Sequence, residues 1–271
     1  FVEVGAVTPR PQAGNPRPRV FRLRDDAGVI NRYGFNNDGL DVVAARLRAR
    51  PRRGIVGVNL GANKDSEDRT EDDVQGVRAL AGLVDFYTVN ISSPNTPGLR
   101  ALQGKTSLED LMRRVLAARD EAAAGAPVFL KIAPDLADED KADIAEVACA
   151  MSLDALIISN TTISRAPDLR SAKAGETGGL SGKPLFAMST ALSREFYAAI
   201  GGQVPLIGVG GVASARDAYE KILAGASLVQ LYTAMIYEGP SLPSRILREL
   251  PSYLDADGFR DVSQAVGAGV R

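Results

Sequence analysis

Amide and hydroxyl side chains recur where short apolar runs of this sequence end. Asn90, Ser92 and Ser93 follow one such run, in the stretch VNISSPN. Apolar runs of this kind are typical of strands buried on both faces, and the carboxyl ends of such parallel strands form the functional site of their fold. Amides and hydroxyls around one cation suit a planar, hydrogen-bonding, anionic ligand. The other strand-end residues are Asn59, Lys131, Ser159, Asn160, Thr161, Gly210, Gly211, Tyr232 and Thr233.

For any single one of these residues, the alternative explanation is helix capping, because Asn and Ser are favoured at the start of the helix that follows a strand. Recurrence at several strand ends is more than capping requires. The chain contains no histidine, which excludes nucleophilic triads that depend on histidine and most zinc sites. We predict no metal site.

Lys131 lies in the apolar run VFLKI, where an unpaired charge would be costly. The lysine must therefore have a partner. Four readings remain open: a Schiff-base amine, a phosphate contact, a cation beside an electron-accepting ring, or a structural ion pair.

A phosphate site is predicted around the segment IGVGGVASARDAYEKILAG (207–225), where an apolar run meets a Gly-Gly turn and then a helix. Backbone N–H groups of such a turn, together with the positive end of the helix dipole, favour an anion. In barrels this is the usual phosphate position, after the seventh and eighth strands. Glycines needed only for the turn would give the same pattern.

The composition indicates one soluble globular domain, residues 1–271, with 45% hydrophobic residues and a formal net charge of −1. Acidic and basic residues are interspersed, so we expect no nucleic-acid partner. The single cysteine, Cys149, adjoins an apolar helix stripe and is expected to pack there.

Seven apolar runs are candidate strands, and helical patterns lie between most of them. In the clearest helix, SLEDLMRRVLAARDEA, Leu108, Leu111, Met112 and Val115 share one face. Such alternation predicts a parallel sheet covered by helices, either doubly wound or closed into a (β/α)8 barrel. Spacing alone does not choose between them. The runs are 1–7, 55–60, 86–91, 128–132, 155–159, 206–209 and 228–232.

Two segments interrupt the alternation, residues 9–36 and residues 161–186. Both follow a strand, so both should lie at the carboxyl end of the barrel. Within the first, the runs 20–23 and 29–33 flank the turn DDAG and predict a hairpin at the barrel mouth. The second has no helical pattern, and a loop this long is more often a lid or a binding loop than a filler.

Eight motifs follow one another along the chain: NRYGFN (31–36), GVNLGANK (57–64), VNISSPNTPGLRALQ (89–103), KIAPD (131–135), SNTT (159–162), TGGLSGKPL (177–185), IGVGGV (207–212) and GASLVQLYT (225–233). Together they resemble dihydroorotate dehydrogenase of class 2, the quinone-dependent family. The resemblance implies a (β/α)8 TIM barrel that carries FMN and oxidises (S)-dihydroorotate to orotate in pyrimidine biosynthesis, with a quinone as the final electron acceptor.

The resemblance also implies roles for individual residues. Ser93 matches the catalytic base, and Arg22 matches an arginine of the quinone channel. Residues that match substrate contacts are Asn31, Arg32, Tyr33, Gly34, Phe35, Asn90, Asn95, Asn160 and Thr161. Residues that match FMN contacts are Asn59, Asn90, Lys131, Ser159, Gly182, Gly211, Tyr232 and Thr233.

By the same resemblance, the first strand seen here is the second strand of the family's barrel. We therefore expect a first βα unit and two membrane-docking helices to precede Phe1, with peripheral attachment to a bacterial cell membrane or mitochondrial inner membrane. Residues 1–271 alone are expected to hold FMN poorly. The main rival reading is a phosphate-binding barrel aldolase that uses Lys131 as its Schiff-base amine.

Overall fold

A computed structural model describes residues 1–92 and 104–270, in which a curled sheet is surrounded by helices. Within these described residues, two short helical turns, Arg24–Asp26 and Lys183–Leu185, are of the 3-10 type. The strands are β1 (Val2–Val7), β2 (Val20–Leu23), β3 (Gly28–Asn31), β4 (Val56–Leu60), β5 (Phe86–Asn90), β6 (Val128–Lys131), β7 (Ala155–Ile158), β8 (Gly179–Gly182), β9 (Leu206–Val209) and β10 (Ala226–Gln230). The α-helices are α1 (Gly39–Ala49), α2 (Arg69–Leu80), α3 (Lys105–Ala122), α4 (Asp138–Ala150), α5 (Phe186–Ile200), α6 (Ala215–Leu223), α7 (Met235–Glu238), α8 (Leu242–Ala256) and α9 (Val262–Ala265).

The main sheet contains seven parallel strands in the order β1-β4-β5-β6-β7-β9-β10. Parallel neighbours need crossover connections, and helices α1 to α6 lie within these connections. The sheet curls until Gln230 Nε2 on β10 donates to Glu3 Oε2 on β1, 3.2 Å away. The architecture confirms the predicted barrel-type α/β class. The expected βα unit before Phe1 stays a prediction.

The outer face of the main sheet and part of its inner face are apolar, which explains why the strands read as largely apolar runs. Val58 and Leu130, on the outer face, belong to the large core shared with the helices. Ile157 and Ile207 pack in a smaller cluster with Phe129 inside the curl. The predicted stripe of α3 is confirmed, because all four of its residues are fully buried. Cys149 packs against the large core, as expected.

A second, three-stranded sheet covers part of the barrel mouth, in the order β2-β3-β8. Its first two strands confirm the predicted hairpin. The third strand, Gly179–Gly182, lies within the predicted lid-like loop 161–186 and was not predicted. Glycine and serine have low strand propensity, so GLSG carries no local signal. Antiparallel pairing with β3 supplies the hydrogen bonds instead.

The remainder of the segment 161–186 is tied to itself and to the hairpin by arginines. The Arg165 guanidinium donates to the carbonyls of Ala174, Glu176 and Gly178, at 2.8–3.0 Å. Arg32, just after the hairpin, pairs with Glu176 at 2.9 Å. The segment is therefore a braced cover over the barrel mouth.

The last strand of the main sheet begins and ends two residues before the predicted run 228–232. Pairing with β9 sets its position, with a register shift between Ala226 and Leu228. Tyr232 and Thr233 consequently lie in the turn after the strand. Among the described residues, no helix has both the length and the apolar character needed to cross a membrane.

Candidate functional site

Three strand-end amides form one hydrogen-bonded chain inside the barrel. Asn90 Nδ2 donates to Asn59 Oδ1 at 3.1 Å, and Asn160 Nδ2 donates to Asn90 Oδ1 at 3.3 Å. The backbone N–H of Ser92 also donates to Asn90 Oδ1, at 3.2 Å. A backbone N–H can only donate, so the Asn90 atom that it contacts must be the amide oxygen. The amide nitrogen of Asn90 therefore faces Asn59.

The hydroxyl of Ser92 completes the connection between Asn90 and Asn160. Its Oγ donates to Asn90 Oδ1 at 2.7 Å and accepts from Asn160 Nδ2 at 2.9 Å. Ser92 is fully buried. Its hydroxyl proton is already directed at an amide oxygen, so Ser92 stiffens the site and is poorly placed to take a proton from a ligand.

Thr161 presents an unused hydroxyl beside this chain of amides. Its backbone N–H donates to Asn160 Oδ1 at 2.7 Å. Its Oγ1 is buried and has no hydrogen-bond partner in the described structure. A buried hydroxyl without a partner is unfavourable. This atom therefore marks a position where a polar ligand would be stabilised.

Glu3 is the centre of the polar interior and was not predicted. Its carboxylate accepts from Asn59 Nδ2 at 2.9 Å, from Thr88 Oγ1 at 2.7 Å and from Gln230 Nε2 at 3.2 Å. Burial by itself raises the pKa of Glu3, but the Lys131 ammonium and these three donors outweigh burial and hold it below its ordinary value. The carboxylate is therefore ionised at neutral pH.

Lys131 ends β6 and faces the same interior. Its Nζ lies 3.8 Å from Glu3 Oε1, which confirms the prediction that this lysine has a partner. Both side chains are about five-sixths buried, with 16% and 15% of their surfaces exposed. Ser159, just after β7, is buried with its Oγ donating to the Asn160 carbonyl at 3.2 Å. Lys131 and Ser159 thus join the amides in one region.

The Gly-Gly turn after β9 meets the start of α5. Gly211 has a φ of +76°, and a Cβ placed on it would lie 2.5 Å from Phe186 Cβ and 2.9 Å from Phe186 N. Only glycine fits this close approach. Gly182 has a φ of +90°, and its added Cβ would lie 3.1 Å from Thr233 Cγ2. Residues predicted to contact FMN thus lie at the end of β8 and in the turns after β9 and β10.

Two residues of that turn differ in exposure. Thr233 is buried, and its Oγ1 donates to Ser181 Oγ at 2.9 Å. The Tyr232 side chain is 71% exposed. Ser181 was not predicted, because a serine within an apparent loop carries no distinguishing signal.

Phe35, a predicted substrate contact that follows the hairpin, lies against Gly61 at the end of β4. A Cβ on Gly61 would lie 3.0 Å from Phe35 Cε2. Asn31 ends β3 opposite Gly179 of β8. The Gly34 carbonyl accepts from Gln12 Nε2 at 2.9 Å, and Tyr33 is 38% exposed.

Arg32 has a visible structural function. Its guanidinium pairs with Glu176 and also donates to the Pro18 and Thr177 carbonyls, at 3.0 and 2.9 Å. It lies over the Phe21 ring, 4.5 Å from its centre. A role of Arg32 in substrate binding stays a prediction.

Arg22 is exposed on β2 and does not belong to the chain of amides. It lines a shallow surface groove with Val20, Arg24 and Lys173. Two further predicted residues, Ser93 and Asn95, lie outside the described residues. Their predicted roles are not tested by the geometry.

Glu3, Thr88 and Gln230 are the functional candidates that sequence reasoning missed. Glu3 carried a usable signal, because a carboxylate inside the apolar run FVEVGAV needs a partner for the same reason as Lys131. Thr88 and Gln230 carried little signal of their own, since their importance follows only from their contact with Glu3.

Comparisons with known proteins agree on one family. The family model described as dihydroorotate dehydrogenase matches residues 1–254. The chain is 59% identical to dihydroorotate dehydrogenase (quinone) of Parvibaculum lavamentivorans, covering 100% of this chain and 77% of that protein. It is 55% identical to the mitochondrial dihydroorotate dehydrogenase (quinone) of Mus musculus, covering 100% and 71%. A crystal structure of Eimeria tenella DHODH in complex with ferulenol superimposes with a TM-score of 0.95 at 43% identity, covering 100% of this chain and 79% of that one.

Proposed function

The chain belongs to the dihydroorotate dehydrogenase family, and on this basis we propose how its site works. The enzyme is an oxidoreductase that converts dihydroorotate to orotate in pyrimidine biosynthesis, with a quinone as the electron acceptor. The observation that carries the proposed site is the chain of amides Asn59, Asn90 and Asn160 beside the Thr161 hydroxyl, which has no hydrogen-bond partner among the described residues.

The barrel interior fits FMN on two independent features. The cradle at Gly211 and Gly182 has no room for a Cβ and offers backbone groups to a phosphate. The interior beside Asn59 and Lys131 offers amide donors and a buried cation to a flat polar ring. When bound, FMN would accept the hydride equivalent that leaves the substrate.

Residues of the amide chain would hold the substrate. Orotate and dihydroorotate are planar or nearly planar rings with amide groups and a carboxylate. Asn90 and Asn160 have fixed orientations, because Ser92 N–H and Thr161 N–H each hold one amide oxygen. Thr161 Oγ1 would gain its missing hydrogen bond from the ring. A rigid, pre-oriented set of partners favours one ligand orientation.

Ser93 is the proposed base that removes a proton from the substrate. A serine hydroxyl is a weak base at neutral pH, so it needs a route for its own proton and protection from bulk water. The cover formed by β2, β3, β8 and the braced segment 161–186 is suited to exclude water.

Lys131 and Glu3 would set the electrostatic field at the ring. The Glu3 carboxylate lies 3.8 Å from the Lys131 Nζ and forms an ion pair with it inside the barrel. A Schiff-base lysine must instead be neutral before it attacks a carbonyl. Family membership and this ion pair both oppose the aldolase alternative.

Quinone access is proposed at the groove that Arg22 lines with Val20 and Arg24, on the outer side of the hairpin. The quinone itself is a membrane molecule, so we propose peripheral membrane association. The quinone acceptor named for the relatives supports this association.

The decisive experiment is anaerobic titration of the purified full-length protein. We expect a flavin absorbance spectrum, bleaching by dihydroorotate and return of the colour on addition of a short-chain quinone. The Thr161→Val variant should bind orotate at least about tenfold more weakly, because one hydrogen bond to a buried polar group is lost.

Thr190→Val provides the matched control for that variant. Thr190 is also buried, but its hydroxyl donates within α5 to the Phe186 carbonyl. Its orotate affinity should equal that of the parent. A protein that neither holds FMN nor oxidises dihydroorotate would refute the proposal, and equal orotate affinity in both variants would remove Thr161 from the site.

A further inference from the structure

Lys221 is a fully buried lysine on α6 that the strand-end site does not explain. Its side chain has 0% exposure, and none of the ion pairs between described residues includes it. Its Nζ donates to Ser189 Oγ on α5 at 2.6 Å and lies 5.1 Å from the centre of the Phe186 ring. Burial of an ammonium group with only a hydroxyl and a ring as partners is costly.

Ser189 connects this lysine to the Gly-Gly turn. Its Oγ lies 2.9 Å from the Leu185 carbonyl oxygen, 3.2 Å from that of Phe186 and 3.3 Å from that of Gly210. The hydroxyl has one proton and serves one carbonyl at a time. All three carbonyl groups nevertheless point their oxygens, the negative ends of their dipoles, toward the Lys221–Ser189 pair.

The direction of the Gly210 carbonyl has a consequence for the other side of the turn. In a trans peptide, the C=O and N–H groups point in opposite directions. The Gly210 carbonyl is directed toward Ser189, so the N–H of Gly211 is directed away from Lys221. The backbone nitrogen of Phe186 lies beside Gly211, 2.9 Å from the position of an added Gly211 Cβ.

We propose that Lys221 is a positioning residue for the phosphate of the bound flavin. Its buried charge holds the Gly210–Gly211 peptide with the N–H outward and adds positive potential behind the anion. This inference rests on the proposed function, in which FMN is the cofactor. Lys221 itself does not contact the phosphate.

The titration of Lys221 makes the proposal measurable. Burial and, secondarily, the charge of Arg194 on α5 lower the pKa of Lys221 to about 7, against the opposing effect of Asp217 on α6. Of the described residues, these are the charged groups whose fields act on it. A bound phosphate dianion favours the ammonium form. Above pH 7, FMN binding should therefore take up a proton.

The test compares FMN with riboflavin, which has the same ring and no phosphate. The flavin is removed from the full-length protein, and the dissociation constants of both flavins are measured from pH 7.5 to 9.5. The variants are Lys221→Met and, as the matched control, Lys141→Met, whose lysine forms ion pairs on the surface of α4. Calorimetry of FMN binding in two buffers of different ionisation enthalpy counts the protons taken up.

We expect Lys221→Met to lower FMN affinity about tenfold while riboflavin affinity is unchanged, as one charge acting through protein would do. In the parent and in Lys141→Met, the ratio of FMN affinity to riboflavin affinity should fall as pH rises, with proton uptake on FMN binding. Both effects should be absent in Lys221→Met.

Several results would overturn the proposal. An equal loss of affinity for both flavins would mean that Lys221 only supports the fold. A ratio of FMN affinity to riboflavin affinity that stays the same at all pH values, with no proton uptake by the parent, would also overturn the proposal. This result can be obtained even if Lys221→Met fails to fold. A parent that binds riboflavin and FMN equally would refute the phosphate site alone, whereas a parent that binds neither would refute the cofactor assignment itself.

Discussion

Asp73 gives the sharpest stability prediction. It lies on α2 with 3% of its surface exposed, and its Oδ1 has no hydrogen-bond partner in the described structure. Burial, and secondarily the charge of Asp72, raises the pKa of Asp73 from 3.8 to about 8. The carboxyl is thus mostly protonated in the folded protein at neutral pH. The proposed substitution is Asp73→Asn, which keeps the size of the side chain and cannot ionise.

The sign follows from proton linkage. Between pH 4 and 8 the folded state holds a proton on Asp73 that the unfolded state has lost, so the free energy of unfolding decreases as pH rises. Each pH unit inside this window changes it by about 1.4 kcal/mol. From pH 5 to 7 the loss caused by Asp73 is therefore up to about 3 kcal/mol. The loss is complete once the pH has passed the folded-state pKa.

Urea unfolding of the full-length protein at each half unit from pH 5 to 8 measures this effect. The quantity of interest is the difference between the parent and Asp73→Asn, because the contributions of all other groups cancel in it. We expect the advantage of the variant to grow with pH. Asp41→Asn, at an exposed position in the first turn of α1, is the control and should follow the parent. Parallel curves for the parent and Asp73→Asn would refute the raised pKa and its cause.

Four further predictions concern the site. Ser93→Ala should keep flavin and orotate binding and slow flavin reduction by roughly 10² to 10⁴, as the loss of a general base does; an unchanged rate in anaerobic stopped flow would remove Ser93 from the mechanism. Glu3→Gln should raise the midpoint potential of bound FMN in a dye-coupled titration, because a negative charge beside the ring is lost; an unchanged potential would limit Glu3 to a structural role. Gly211→Ala should destabilise the fold by about 2–4 kcal/mol and lower FMN content, because an added Cβ meets Phe186 at 2.5 Å with a φ of +76°; full FMN content would contradict the tight cradle. Arg22→Ala should raise the KM for quinone and leave reduction by dihydroorotate nearly intact, and equal damage to both half-reactions would point to a structural role.

The sequence by itself determined the layers of the fold and the region of the site. Apolar runs such as 128–132 and the stripe of α3 are local patterns, and burial on both faces of a parallel strand leaves little choice of residue type. The start of α6 is equally local, because the Ser214 side chain accepts from the Asp217 N–H within the same turn. Strand-end residues such as Asn59 and Asn160 were predictable, since parallel strands present their carboxyl ends on one side.

Only the tertiary structure decided how these residues meet. The contact between Glu3 and Gln230 joins residues from opposite ends of the chain, and no local pattern encodes which donors a carboxylate will find. Strand β8 forms because β3 offers it hydrogen-bonding partners, although GLSG has almost no strand propensity. Lys221 looks like an ordinary helix lysine until the packing of α5 and β9 excludes water from it. Burial and pairing of this kind depend on segments that are distant in sequence, so they are properties of the folded chain.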